Sequence, residues 1–145
     1  MRAYDDLLLD HIKRARNYRS MPGADARIEA LNPLCGDGVE LFVKWDGARA
    51  ADLSFQCECC GISMASTSVL TEILRGRTRN EILGECERFL AHIGETSADG
   101  AELDDATPAQ RALIEAARQY PSRARCAALA WQSLRDALRA PALTA

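Results

Sequence analysis

No stretch of the 145 residues is long and apolar enough to span a bilayer, aromatic residues make up only 6%, and histidine occurs twice. The first absence argues against a membrane protein. There is also no excess of positive charge: 18 Lys and Arg face 21 Asp and Glu, the net charge is -3, and the basic residues are scattered rather than interleaved with aromatics. Nucleic acid is therefore not an expected partner. The opening MRAYDDLLLDHIKR carries Asp5, Asp6, Asp10 and His11 around three leucines, too short and too charged a run for an export signal. What the chain does have is cysteine. Six of them without an export signal imply reduced thiols in the cytoplasm, hence metal or thiol chemistry rather than a disulfide framework. With 48% apolar residues the chain suits a single domain over 1–145 with one core.

The pattern along the chain is mixed. Leu7, Leu8, His11 and Ile12 follow helical spacing, predicting a helix from about Tyr4 to Arg16 with cations at its end. Ile28 to Asn32 reads as an edge strand. Val39, Leu41, Val43 and Trp45 alternate with Glu40, Phe42 and Lys44, predicting a half-buried strand that DGARA turns back into a second one with Leu53 and Phe55. From Ile62 to Arg75 the period becomes helical, with Ile62, Ala65, Val69, Leu70 and Ile73 on one side and Gly76 as the stop. Thr78 with Glu81, and Thr107 with Gln110, have the capping-box spacing and open further helices on either side of the acidic loop GETSADGAELDDA. A last helix is expected from Ser122 to about Arg139. The sum is an α+β fold, a small antiparallel sheet of about three strands packed against helices.

Chemistry gathers at the joints. Cys35 and Asp37 flank Gly36 in NPLCGDG, where a small central residue lets a turn aim a thiolate and a carboxylate at one ion. Cys60 directly precedes a helix, a setting of unpaired amides that lowers a thiol pKa, and Cys126 falls in the first turns of the last helix behind Arg123 and Arg125. Cys35, Asp37, Cys60 and Cys126 together would offer three sulfurs and an oxygen, a four-coordinate set suited to zinc or to iron-sulfur chemistry. Spacing alone does not bring them together; only the fold can.

The run NPLCGDGVELFVKWDG, then a phenylalanine followed after five residues by GISMAS with a cysteine before the glycine, then RARCAALAW, resembles the U-type iron-sulfur cluster assembly family of IscU, NifU and SufU. LLLDHIKRARN is similar to that family's opening, with Ala15 in place of a proline. Arg125 stands where IscU types carry a histidine, and the span from Cys60 to Cys126 is longer than theirs, so the chain looks closest to the SufU branch. The resemblance implies a SufE/NifU-like fold and a single NifU N-terminal-like domain. It maps Cys35, Asp37, Cys60 and Cys126 onto the family's metal positions, with Zn2+ as the ion, or a [2Fe-2S] cluster if the protein is a scaffold. It further implies Cys126 as the sulfur acceptor, a SufS-like cysteine desulfurase as donor, and a downstream iron-sulfur scaffold or apo-acceptor protein as recipient. The activity would be sulfurtransferase-like relay or, as the alternative, non-enzymatic scaffolding.

Cys57 and Cys59 depart from the family's small residues there. They read as spare ligands, a resolving thiol, a C-x-C redox pair, or neutral replacements in a close-packed turn, the last being preferred. Cys86 lies on an apolar stripe and is expected in the core. His11 is expected to pack or cap rather than ligate, and Ser63, Ser66 and Ser68 to cap and pack, with tuning of sulfur basicity as the other reading.

Overall fold

The computed structural model describes residues 6–32, 36–95 and 106–139. In chain order these form α1 (Asp6–Lys13), β1 (Ala26–Asn32), β2 (Asp37–Asp46), β3 (Arg49–Glu58), α2 (Gly61–Leu74), α3 (Arg79–Leu90) with a π-helical continuation (Ala91–Glu95), α4 (Pro108–Gln119), a 3-10 turn (Pro121–Arg123) and α5 (Ala124–Arg139). The α+β expectation holds. The sheet is antiparallel in the order β1-β2-β3.

Alternation decides which face of the sheet is buried. Ile28 and Ala30, then Val39, Leu41 and Val43, then Leu53 and Phe55 are withdrawn from solvent and pack toward the helices. Two details differ from the sequence reading. Phe42, expected on the polar face, is buried, and Trp45 is only partly buried at the rim of the core, at the point where the pairing register shifts between Lys44 and Trp45. The Arg79 guanidinium lies over the Trp45 ring, 4.6 Å from its centroid. Gly47, at φ 61, makes the tight turn between β2 and β3.

The chain between α1 and β1 runs along the outer edge of β3. Arg19 N–H donates to the Phe55 carbonyl and Phe55 N–H to the Asn17 carbonyl, each at 3.0 Å, and the Tyr18 ring meets Phe55 edge-on at 5.1 Å.

α2 is the axis of the molecule. It packs against α1, α4, α5 and β3, so little of it besides Glu72 faces solvent. Its remaining sides carry Ser63, Ser66, Thr67, Ser68 and Thr71, all buried, whose small hydroxyls find partners on α1, α5, the chain after α1 or α2's own backbone. Gly76, at φ 85, ends this segment as expected. Both capping boxes are present: Thr78 accepts from Glu81 N–H and Glu81 returns a bond to Thr78 N–H, and Thr107 and Gln110 do the same. Trp131 of α5 is fully buried, its ring 4.3 Å from that of Phe89 on α3.

Candidate functional site

The β1–β2 hairpin closes at Asn32 opposite Asp37, and Gly38 pairs with Glu58 at the end of β3. The turn that carries the Cys-Gly-Asp sequence and the chain that enters α2 therefore lie at the same end of the sheet. In that turn Gly36 adopts φ 75 and its N–H donates to the Asn32 carbonyl at 2.9 Å. Cys35 falls outside the described residues, and Asp37 is placed by its backbone alone, as the first residue of β2.

Cys60 is the N-cap of α2, extended at φ -72 and ψ 168, and its side chain makes no capping hydrogen bond. The amides of that first turn carry the partial positive charge of the helix start. Gly61 follows, close against α1: a Cβ there would stand 3.2 Å from Ile12 Cδ1, a tight contact. Cys126 lies in the first turn of α5, 2% exposed. Ser63 joins the two cysteines, its Oγ lying 3.7 Å from Cys60 Sγ and donating to the Cys126 carbonyl at 3.1 Å. One turn on, Ser66 Oγ donates to the Ala127 carbonyl at 2.5 Å and accepts from Trp131 Nε1 at 2.9 Å. The serines of α2 thus clamp the start of α5 against the start of α2. Arg123 and Arg125 are exposed beside it.

The other candidates separate from this centre. His11 is buried between α1 and α2, its Nδ1 2.7 Å from Ser68 Oγ and its Nε2 facing Glu72 Oε1 at 3.9 Å; burial pushes its pKa down. Ser68 also accepts from Arg16 N–H at 2.8 Å, so this group fastens the end of α1. Cys86 is fully buried on α3, and loss of solvation drives its thiol up to about 12. The expectation of reduced thiols throughout is corrected at Cys57 and Cys59. These two are joined in a disulfide, so the neutral close-packed turn does not describe them and neither sulfur is open to a metal in this state. Among the described residues, no three of His, Cys, Asp and Glu converge to hold a metal. What they do show is two soft sulfurs at neighbouring helix starts, the donor type that zinc and iron-sulfur centres take.

Residues 3–127 match the family model described as the NifU-like N terminal domain. The chain belongs to that family. Within the NifU-like family it is 33% identical over 141 residues to the iron-sulfur cluster assembly scaffold protein IscU of Streptococcus pyogenes, covering 94% of this chain and 82% of that one. It is 30% identical over 132 residues to the zinc-dependent sulfurtransferase SufU of Bacillus subtilis, covering 90% and 86%. A crystal structure of an iron-sulfur cluster assembly scaffold protein for the SUF system, from Fervidobacterium islandicum, superposes with a TM-score of 0.83 at 28% identity, covering 94% of this chain and 96% of that one. The NifU-like assignment accounts for the α+β architecture. No helix among the described residues is long and apolar enough to cross a membrane.

Proposed function

We propose that this protein accepts sulfane sulfur on Cys126 from a cysteine desulfurase and relays it for iron-sulfur cluster assembly in the cytoplasm, the whole chain acting as one domain. The observation that supports the reading is that Ser63 touches Cys60 through its sulfur and Cys126 through its backbone carbonyl, so the starts of α2 and α5, far apart in sequence, lie side by side, while Gly36 and Asp37 fall at the end of the sheet from which the chain enters α2. Cys35, Asp37, Cys60 and Cys126 would hold Zn2+, with three sulfurs and one carboxylate. When bound, the ion keeps its thiols deprotonated and out of stray disulfides, and an oxygen donor leaves that soft-ligand site open to exchange. Ser63 fixes the backbone of Cys126 against the start of α2, and Arg123 and Arg125 present positive charge to an incoming persulfide or an acidic partner surface.

The similarity to a sulfurtransferase on one side and to a scaffold on the other keeps one alternative in play: the same four residues could carry a [2Fe-2S] cluster for transfer to an apo-acceptor. Elemental analysis of protein purified without oxygen, paired with a desulfurase assay, decides between them. The relay reading expects about one zinc per chain and faster desulfurase turnover that Cys126→Ser abolishes. Visible absorption after anaerobic reconstitution, with transfer of the cluster and no stimulation of the desulfurase, would establish the alternative.

A further inference from the structure

Directly upstream of Cys60 lies a sulfur pair for which the proposed ligand set has no use. Cys57 is the penultimate residue of β3, Cys59 sits on the short link to α2, and a disulfide joins them with their Cα atoms 5.5 Å apart. As a structural staple this bond is poorly placed. It encloses only Glu58, in a stretch the β2–β3 ladder already holds, and cross-links over so few residues restrict the unfolded chain least.

Its surroundings suit chemistry better. Tyr18 Oη donates to the Cys57 carbonyl at 3.0 Å and accepts from Cys57 N–H at 3.2 Å, so one hydroxyl holds both backbone groups of Cys57. Cys57 Sγ rests 3.9 Å from Met64 Sδ. Both cysteines are half-buried, packed at the rim of the core rather than sealed inside it. Accessible disulfides in reducing compartments are characteristically transient and catalytic. Cys59 adjoins Cys60 and directly follows the Gly38–Glu58 pair that ends the ladder beside Asp37, so the pair stands at the edge of the proposed sulfur site.

We infer that Cys57 and Cys59 form a dithiol that reduces the sulfur received on Cys126 to sulfide. This rests on the reading of Cys126 as the acceptor. The Cys59 thiolate attacks the terminal sulfur of the Cys126 persulfide; that S–S bond breaks, Cys126 leaves as thiolate, and the persulfide now sits on Cys59. The Cys57 thiolate then attacks Cys59 Sγ, forming the Cys57–Cys59 bond and expelling HS⁻. One persulfide and two thiolates become one disulfide, the Cys126 thiolate and HS⁻; the sulfane sulfur gains two electrons and the pair loses two. The bonded pair in the structure is the end state, and a thioredoxin-type dithiol resets it. Such a protein would deliver sulfur already at the oxidation level of the bridging sulfides of a cluster.

The test uses full-length protein, reduced and desalted without oxygen, then charged by a cysteine desulfurase with a limiting equivalent of L-cysteine. Sulfide is trapped with monobromobimane and the cysteines are mapped by mass spectrometry. Reduced wild type should release roughly one sulfide per chain while Cys57 and Cys59 become bridged, as the exchange stoichiometry requires. Wild type whose pair was left oxidised, and Cys57→Ser, should release about tenfold less and retain persulfide, on Cys126 in the oxidised protein and on Cys126 or Cys59 in the variant. Because the oxidised sample needs no substitution, misfolding cannot imitate the result. Equal sulfide release from all three samples would overturn the inference and leave Cys126 as an acceptor. A Cys126 that takes no persulfide in any sample would overturn the relay reading, and the inference with it.

Discussion

The starts of α3 and α4 differ from the start of α2 in what occupies the cap. At Thr78 and Thr107 a hydroxyl accepts the amide of the third helical residue, and Glu81 or Gln110 answers it; the bonds from Thr78 also hold the Glu81 carboxyl below its usual range. At Cys60 a thiol takes the same place and makes no such bond. A good N-cap contributes about 1 kcal/mol, so α2 forgoes roughly that much at the one helix start that also lies against Cys126. Where only architecture is at stake, this sequence caps with oxygen; at Cys60 it sets a sulfur in the amides' positive field instead.

Four experiments press on that contrast. The largest effect is expected for Cys126→Ser, which should abolish persulfide formation and desulfurase stimulation while leaving the fold intact, read by mass spectrometry and circular dichroism. Next, the core thiol should behave unlike the site thiols. Cys86 keeps its proton to about 12 in the folded protein, whereas the unfolded chain releases it near the ordinary thiol value of about 8.5. Between those values the unfolded state binds fewer protons, so stability falls as pH rises, by up to about 1.4 kcal/mol per pH unit, and is unaffected by this group below that window. Cys86→Ala should flatten the slope in urea titrations taken from pH 8 to 10.

Ser66→Ala strands the buried Trp131 Nε1–H. It should cost about 1–3 kcal/mol in urea unfolding and should lower the metal content as the start of α5 loosens. The smallest effects make the sharpest pair. Thr78→Ala should lose about 1 kcal/mol with the sulfur chemistry untouched, while Cys60→Ser, which installs a better cap, should gain up to about 1 kcal/mol and lose the metal. If Cys60→Ser destabilised the apo protein instead, the start of α2 would owe its stability to the thiol after all.

The elements whose signals are local were readable in the sequence. The capping boxes at Thr78 and Thr107, the stop at Gly76 and the alternation through Val39, Leu41 and Val43 need only near neighbours in the chain. So was the joint at Cys60, because a cysteine between a strand pattern and a helix pattern has little else to do. Features set by distant partners were harder to see. The partial burial of Trp45 coincides with a register shift that follows Lys44, and the burial of the hydroxyl-bearing sides of α2 depends on elements far along the chain. The serines of α2 looked like ordinary small residues because their partners, the Cys126 and Ala127 carbonyls, lie more than sixty positions away. For Cys57 and Cys59 the sequence held the redox pair among several readings, and nothing in the spacing of C-x-C alone selects it.

The segment at Asn17–Arg19 has a consequence for how this protein meets others. By hydrogen-bonding to Phe55 along the outside of β3, it occupies the margin where a foreign extended peptide would otherwise join the sheet. β1 is left as the sole margin open to strand addition among the described residues, and there Arg27 and Glu29 put alternating charge along the row, which discourages copies of the chain from stacking edge to edge.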